Sequence, residues 1–335
     1  MDGLDMAFCH FRQESGNWSY SVIQAETIPY TAEWLKRLKG LPAASALDFT
    51  SADYDYGHLL GCLTRDFISR HRIKADFIAS HGHTVFHRPE KGITSQLGNG
   101  AAIKAETGLP VICDFRSEDL ALGGQGAPLV PAGDMLLFRG FDACLNLGGF
   151  ANISYNLSSE RIAYDICPVN IVLNELAGKK GKQYDINGEI ASWGSVDRSL
   201  LRMLNNLPYY SLTPPKSLGR EWVFENISPL LENPALSVED LLCTFCSHIA
   251  FQISQSLGKM ETNVLVSGGG ALNKYLMAQL RSGTKANLVT PDLLTINFKE
   301  AIIFAFLGVL RWRNENNCFR SVTGARLDHC SGAIY

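Results

Sequence analysis

A glycine pair between two apolar runs is the feature that most constrains how this chain can fold. Residues 145–154 have the sequence Leu-Asn-Leu-Gly-Gly-Phe-Ala-Asn-Ile-Ser, with a strand-like run at 143–147 before the glycines and an alternating run at 150–157 after them. Two such runs joined by Gly-Gly predict a β-hairpin with a primed turn. Gly148 and Gly149 then either serve only the backbone of the turn or leave N–H groups free to surround a phosphate, with Asn152 beside them.

Composition limits the class of protein. The 335 residues are enough for two domains, and 46% hydrophobic with 19% charged residues is typical of a soluble globular chain. The net charge of −3 and the lack of a basic run argue against a nucleic-acid partner. The first residues do not have the pattern of a signal peptide, and we expect no apolar stretch of the ~20 residues that a membrane span needs. Nine cysteines scattered through apolar segments predict reduced thiols in a cytoplasmic protein.

The first half of the chain alternates strand and helix patterns. Strands are predicted at 4–11, 18–28, 75–80 and 111–115, helices at 31–38, 51–71 and 101–107, a loop at 81–89 and a glycine-rich connection at 116–131. Asp2-Gly3 predicts a turn, but only Met1 precedes it, so the strand that should enter this hairpin is missing. We therefore expect Met1 not to be the true start, and an upstream reading frame to encode that strand.

The second half repeats this order. Strands are predicted at 143–147, 150–157, 161–166, 264–267 and 286–289, and helices at 169–177, 190–207, 237–257, 271–281 and 298–313. Each half has the order β-β-β-α-β-α-β once a strand is restored before Asp2, which predicts an α/β fold with a mostly parallel sheet in each domain. We place the domains at 1–138 and 139–335, and expect the tail 318–335 to pack back on the first. Two similar domains usually bind their ligand in the cleft between them.

Two segments of the second half are candidates for chemistry. Asp165 ends a strand just before a helix, where a carboxylate is placed either for catalysis or for capping that helix. Gly268, Gly269 and Gly270 lie where a strand turns into a helix. That position suits an anion or a close ligand, or it is only a tight turn.

Polar residues also follow two strands of the first half. Asp114 and Arg116 end one strand, and His81 and Thr84 follow another, so the four side chains converge on one rim if these strands are parallel neighbours. The histidines at 81, 83 and 87 have no cysteine or carboxylate nearby to complete a zinc site. A C-x-x-C pair at 243 and 246 lies inside an amphipathic helix, where a buried face explains the spacing.

Together these residues resemble the anhydro-N-acetylmuramic acid kinase family, of the superfamily of actin, hexokinase and related sugar kinases. The matching stretches extend over nearly the whole chain in the family's order. The most specific are Asp-Phe-Arg-Ser at 114–117 and Gly-Gly-Gln-Gly-Ala-Pro-Leu-Val-Pro at 123–131. The resemblance implies two similar actin/hexokinase-like domains, with ribonuclease H-like mixed sheets flanked by helices and an interdomain cleft for MgATP.

The resemblance also implies a reaction. Kinases of this family transfer the γ-phosphoryl group of ATP to O6 of 1,6-anhydro-N-acetylmuramic acid while water opens the anhydro bridge at C1. The product is N-acetylmuramic acid 6-phosphate, in peptidoglycan recycling. The family's catalytic aspartate falls on Asp165. Cys167 and Val169 stand where the family has glycine. The family's second phosphate-binding hairpin is matched by Gly148, Gly149 and Asn152. Its adenosine-binding motif is matched by Gly268, Gly269 and Gly270.

The first phosphate hairpin of the family is only partly present. Asp2 and Gly3 match its end, with Asp2 implied as a ligand of Mg²⁺ through water, whereas its Gly-Thr-Ser is absent. The residues expected to bind the sugar are His81, Thr84, Asp114 and Arg116. Glu300, on the last long helix, is expected to be a second catalytic carboxylate. Two alternatives stay open: another amino-sugar kinase of the superfamily, or a sugar-binding paralogue without catalysis. The expected partners are the sugar and ATP, with a homodimer as an option.

Overall fold

Strands and helices alternate along the chain. The computed structural model describes residues 3–158, 160–214, 216–258 and 262–335. The strands are β1 (Gly3–Glu14), β2 (Asn17–Pro29), β3 (Ile78–Ala79), β4 (His83–Arg88), β5 (Ile93–Leu97), β6 (Val111–Cys113), β7 (Ala143–Leu147), β8 (Phe150–Leu157), β9 (Glu160–Pro168), β10 (Asn263–Ser267), β11 (Asn287–Val289) and β12 (Ala333–Ile334). The helices are α1 (Ala32–Gly40), α2 (Ala46–His71), α3 (Gly100–Thr107), α4 (Ser117–Ala121), α5 (Val130–Leu137), α6 (Asn170–Gly178), α7 (Glu189–Trp193), α8 (Arg198–Asn205), α9 (Arg220–Asn226), α10 (Ser228–Leu231), α11 (Val238–Leu257), α12 (Lys274–Gly283), α13 (Leu293–Trp312) and α14 (Arg320–Thr323). The predicted α/β class is confirmed.

The chain divides into two compact units. The first comprises Met1–Leu137 and Phe298–Tyr335, and the second comprises Phe138–Asn297. The chain therefore returns to the first unit at residue 298, inside α13, and not at residue 318 as we expected. The reason is packing: the Phe306 ring lies 5.4 Å from Phe11 and 5.1 Å from Trp18. Most of α13 is thus a core helix of the first unit.

The second unit is built on one five-stranded sheet. Its strand order is β11-β10-β7-β8-β9, with β7 antiparallel to β8, β8 antiparallel to β9, and β10 parallel to both β7 and β11. This is the ribonuclease H-like order, and the sheet is mixed. Central β7 pairs on both sides and its Leu145 and Leu147 are fully buried. The core beneath includes Leu173 of α6, Phe245 of α11 and Leu276 of α12.

The strands of the first unit form three smaller sheets, β1-β2, β4-β5 and β12-β6-β3. The β1-β2 hairpin turns at Ser15 and Gly16, both with positive φ. The loop predicted at 81–89 is wrong, because β4 and β5 form an antiparallel hairpin there. Its tight connection ends at Gly92, whose φ of 64° favours glycine.

A groove of about 850 Å³ runs through the first unit between β1 and the segment that ends in β3. Residues 3–11 and 73–84 line it without interruption, with Leu60 and Phe67 of α2 and Phe304 of α13. Consecutive residues of a strand line a cavity together only along the strand's edge, because side chains alternate between faces. Among the described residues β1 pairs with β2 alone, so its other edge faces the groove. The missing strand stays a prediction.

Three helix predictions need correction. The single helix predicted at 190–207 is α7 and α8, because the chain breaks at Gly194, which packs directly on the backbone of Glu239. The predicted helix at 271–281 begins only at Lys274, after a short 3₁₀ turn, with Asn273 accepting a hydrogen bond from the Leu276 N–H as its cap. Between the predicted helices 190–207 and 237–257 the sequence analysis placed no helix, whereas the structure has α9 and α10 there.

In the described part of the chain, α13 is long and apolar enough to cross a membrane, contrary to our expectation. Its mean hydropathy is 1.8, and 61% of that window is buried. The core helix of a soluble protein passes the same test, and Ile302 and Ile303 are fully buried. Buried Lys299 also forms a 2.7 Å ion pair with buried Asp134 of α5. Protein packing therefore accounts for the apolar composition of α13.

Candidate active site

A row of polar residues crosses the sheet of the second unit. The strand register places Ser267 beside Asn146, Asn146 beside Asn152, and Asn152 beside Asp165. Directly paired residues have side chains on the same face of a sheet, so these four share one face. The structure thus brings together Asn152 and Asp165, which the sequence singled out. Asn146 and Ser267 were missed, although the alternation Leu-Asn-Leu at 145–147 marks Asn146.

A β-bulge lies next to Asp165. The register of β8 and β9 shifts so that Ala151 faces Cys167 while Asn152 faces Asp165, which leaves Ile166 as an extra residue. A bulge bends its strand and re-aims the neighbouring side chains, and bulges are common beside active sites. The bulge therefore changes the direction of the Asp165 side chain relative to a regular strand, near the end of β9.

Asp165 is partly buried and held by hydrogen bonds. Its Oδ2 accepts a hydrogen bond from the Leu218 N–H at 3.0 Å, and its backbone carbonyl accepts one from the Tyr209 hydroxyl at 2.6 Å. Burial raises the pKa of the Asp165 carboxyl, and the Leu218 N–H partly offsets that rise. Val169 occupies the N-cap position of α6, so Asp165 is not the cap of that helix. A carboxylate with a raised pKa is suited to accept a proton.

The connection between β7 and β8 differs from the predicted primed turn. Leu147 pairs with Ala151, so three residues connect the strands, and neither glycine has a positive φ. The Gly148 N–H is not free, because it donates to the Phe150 carbonyl at 3.1 Å. At Gly149 an added Cβ would meet no atom within 4 Å. Of the two glycines, Gly149 is therefore the one with open space for a ligand.

The turn docks on the start of α6. The Gly149 carbonyl accepts the N–H of Val169 at 2.8 Å, and the Gly148 carbonyl accepts the N–H of Asn170 at 3.2 Å. The Asn170 side chain donates to the Leu147 carbonyl at 3.1 Å. The first turn of α6 and the β7–β8 connection are thus one rigid structure.

The triple glycine packs against the same end of β7. A Cβ on Gly268, whose φ is 82°, would lie 2.6 Å from the Asn146 Oδ1, and a Cβ on Gly270 would lie 2.8 Å from that of Leu147. Only glycine permits these approaches. A Cβ added on Gly269 would lie 3.8 Å from the Asn170 Nδ2, which is an ordinary contact distance. The two glycine segments and the start of α6 therefore meet at one end of the sheet.

A cavity of about 660 Å³ opens at this end of the sheet. Gly149 and Asn170 form one part of its lining, and Glu175, Arg220 and Phe224 form another. Two charges of opposite sign, amides and an aromatic ring suit a polar ligand with a flat apolar face. Arg220 and Phe224 come from α9, a helix that the sequence analysis did not predict.

In the first unit, His81 and Arg116 are in direct contact. An Arg116 Nη lies 2.7 Å from the His81 Nε2, and the other Nη donates to the Gly126 carbonyl at 2.6 Å. Burial and the Arg116 charge lower the pKa of His81 to about 4, so the neutral ring accepts from the guanidinium. Burial raises the pKa of the Glu300 carboxyl, and Arg116 opposes that rise. Three predicted residues are therefore electrostatically linked.

The remaining residues of the predicted rim are placed differently. Thr84 lines the groove beside β1 together with His81 and Glu300, and its hydroxyl accepts from the Gln96 amide at 3.4 Å. Asp114 has a φ of 54°, which is uncommon for a residue other than glycine. Its Oδ1 accepts hydrogen bonds from the Ser117 N–H and hydroxyl, so it holds the first residue of α4. The prediction for Asp2 lies outside the described residues, and Gly3 is the first residue of β1.

One buried cluster was not predicted. Within the described ranges, one set of three side chains has its potential metal-binding atoms within 4.8 Å of one another. The three residues are Asp119, Cys318 and His329. The Asp119 Oδ1 accepts from the hydroxyl of Thr323 at 2.6 Å and from the Cys318 thiol at 3.2 Å, and its Oδ2 accepts from the Gly126 N–H at 2.6 Å. Neutral donors thus satisfy the carboxylate, which ties the tail to the glycine-rich connection. All nine cysteines are free thiols, as predicted.

These features define a class of protein. A mixed α/β sheet that presents a carboxylate beside glycine-rich backbone and a helix start is suited to bind a phosphate group next to a base, as a phosphotransferase requires. A family model described as "Anhydro-N-acetylmuramic acid kinase" matches residues 1–335. The chain belongs to that family, and it is a kinase that binds ATP.

Individual relatives agree with this assignment. The anhydro-N-acetylmuramic acid kinase of Pasteurella multocida is 35% identical, with 100% of this chain and 94% of the relative covered. That of Sulfurimonas denitrificans is 33% identical, with 100% and 96% covered. Among solved structures, a putative N-acetylmannosamine kinase from Listeria monocytogenes is 14% identical, covers 92% of this chain and 100% of its own, and has a TM-score of 0.35.

Proposed function

We propose that this kinase phosphorylates O6 of 1,6-anhydro-N-acetylmuramic acid and opens its anhydro bridge, giving N-acetylmuramic acid 6-phosphate. Family membership supports the substrate class. The observation that carries the proposal is the setting of Asp165: a partly buried carboxylate at a bulge, with a raised pKa and with Asn152 beside it. Opening the bridge requires a base that activates water, and Asp165 has the properties of one.

Asp165 acts as the general base. Its carboxylate takes a proton from water while the water oxygen forms a bond to C1 and the bond from C1 to O6 breaks. O6 keeps that electron pair and attacks the γ-phosphorus, and the bond from phosphorus to the ADP oxygen breaks in line. All atoms of water, sugar and ATP then appear in the phosphorylated sugar, ADP and the proton on Asp165.

The glycine segments serve ATP. Gly149 offers its N–H to a phosphate, with Gly148 shaping the turn and Asn152 beside it. Gly268, Gly269 and Gly270 give the adenosine a close approach to backbone. Mg²⁺ would neutralise phosphate charge. The residue predicted for it, Asp2, lies outside the described residues, so no described residue is assigned to the ion.

The sugar is assigned to the first unit's polar residues. Arg116 and neutral His81 offer hydrogen-bond donors and acceptors, and Thr84 and Asp114 add a hydroxyl and a carboxylate. Glu300, with its raised pKa, is the second carboxylate. The reaction belongs to peptidoglycan recycling in the cytoplasm, in line with nine free thiols.

The test is Asp165→Asn. General-base catalysis typically contributes about 10²–10⁴-fold, so we expect a loss of that size. Ring opening and phosphorylation should fall together, as measured by mass spectrometry of the product made in ¹⁸O water. The control is Asp66→Asn, at an exposed carboxylate on α2.

Three outcomes would overturn the proposal. If Asp165→Asn releases phosphorylated sugar with an intact bridge, or the native chain phosphorylates a different amino sugar faster, the protein is another amino-sugar kinase. If the native chain binds the sugar in calorimetry but neither binds nor hydrolyses ATP, it is a paralogue without catalysis.

A further inference from the structure

Residues 216–218 run beside β9 at Asp165. The Asp165 N–H donates to the Lys216 carbonyl at 3.2 Å, and the Leu218 N–H donates to the Asp165 Oδ2 at 3.0 Å. One short segment therefore binds the backbone of Asp165 and also its carboxylate.

The same segment is anchored to the surrounding structure. The Lys216 ammonium lies 4.7 Å from the ring centre of Tyr209 and 5.8 Å from that of Tyr164, and it contacts the Tyr209 carbonyl at 3.4 Å. Cations above aromatic rings are attracted by the ring's negative face. The Tyr209 hydroxyl in turn donates to the Asp165 carbonyl. Each of the three residues Asp165, Tyr209 and Lys216 therefore contacts the other two, all within the second unit.

We propose that residues 216–218 position the catalytic base, with the Leu218 N–H as the group that fixes its carboxylate. The proposal rests on the proposed function of Asp165. Asp165 pairs with Asn152 directly beside the bulge at Ile166, and a bulge re-aims the neighbouring side chains, so the regular strand geometry does not by itself fix where the carboxylate points. The Leu218 N–H supplies that definition through Oδ2. Of the two carboxylate oxygens, Oδ1 is then the one presented to the water that attacks C1.

The Leu218 N–H also acts on the charge of the base. A donor that bonds to a carboxylate favours the ionised form, in opposition to burial. Without this donor the base should ionise at higher pH. A loss of loop structure would instead expose the carboxylate to water, which removes the larger effect of burial and moves its ionisation to lower pH.

The experiment compares Leu218→Pro, which removes the N–H, with Leu218→Ala, which keeps it. We expect Leu218→Pro to lower kcat at least about tenfold, because the carboxylate loses the donor that holds it in place. The acid limb of kcat/KM should move up by about one pH unit. In Leu218→Ala the limb should stay in place.

A second variant and a second readout complete the design. Replacing Leu218 by its α-hydroxy acid exchanges the N–H for an ester oxygen without the restraint of proline, and should shift the limb equally. NMR titration of ¹³C-carboxyl aspartate, with the Asp165 signal assigned from Asp165→Asn, reports the same ionisation without turnover. If wild-type protein shows no kinase activity, the proposed function fails while the titration still tests the positioning. An unmoved Asp165 ionisation in the ester variant would overturn the inference.

Discussion

At the scale of residues, two buried histidines make the stability of the protein depend on pH. Burial and Arg116 lower the pKa of His81 to about 4, and burial lowers that of His248 to about 3. The His248 ring bonds to the Tyr210 hydroxyl at 2.9 Å and to the Asn205 Oδ1 at 2.6 Å. Both histidines are therefore neutral in the folded protein at pH 5, where unfolded histidines are protonated.

The sign of the effect follows from the protons bound. Between pH 6.5 and the lowered pKa the unfolded chain binds more protons, so the free energy of unfolding falls as the pH falls. For His81 the loss approaches about 3 kcal/mol at pH 4. Urea unfolding from pH 7 to pH 4 measures it. We expect His81→Gln and His248→Gln each to flatten the curve. A slope equal to that of the wild-type protein in both variants would contradict this account.

Sequence reasoning found the side chains of the site better than its backbone groups. Asp165 and Asn152 stand out because polar residues among apolar strand residues are visible in the pattern. The Leu218 N–H has no such signal, since every residue but proline has one and only the fold brings it to Asp165. Asn146 became evident only when the strand register placed it beside Asn152.

At the scale of elements, the β7–β8 connection makes a separate prediction about ATP. If the Gly149 N–H faces a phosphate, a side chain there should obstruct ATP without disturbing the fold, because an added Cβ meets no atom within 4 Å. We expect Gly149→Val to raise the KM for ATP at least about tenfold and to leave that for the sugar nearly unchanged. Steady-state kinetics with each substrate varied in turn measures both.

A matched control separates this effect from a general one. Gly140, in the turn before β7, also has no atom within 4 Å of an added Cβ, so Gly140→Val should leave both KM values unchanged. A Gly149→Val enzyme in which the two KM values rise equally would rule out a phosphate role for this turn.

Long periodic elements were predicted well, and tertiary contacts explain the exceptions. α2, α11 and α13 follow from their apolar spacing and caps, such as Ser237 before α11. The break between α7 and α8 depends on how Gly194 meets Glu239, which is remote in sequence. The hairpin of β4 and β5 was missed because its strands are short and polar, so that local alternation is weak there.

At the scale of the whole molecule, the two units differ in how the chain builds them. The second is one continuous segment, Phe138–Asn297, whereas the first joins Met1–Leu137 to Phe298–Tyr335. In the first unit, β12 pairs with β6, and the Arg311 side chain donates to the Gly332 carbonyl at 2.7 Å. Residues about two hundred positions apart thus complete one sheet, which local sequence patterns could not reveal.

This difference predicts how fragments of the chain behave. The buried core of the second unit is drawn from residues 143–288, so a fragment of residues 138–297 contains every residue of that core. Burial of apolar area is the main favourable contribution to folding, so this fragment should unfold cooperatively on its own. A fragment of residues 1–137 lacks all of α13 and strand β12 and should not. Removing Phe306 alone uncovers the Phe11 and Trp18 rings.

Thermal melting by circular dichroism and amide dispersion in NMR distinguish a fragment that folds from one that does not. Adding residues 298–335 as a separate peptide to fragment 1–137 should restore dispersed amide signals. A cooperative transition of fragment 1–137 by itself, or none for fragment 138–297, would show that the units do not fold as this division requires.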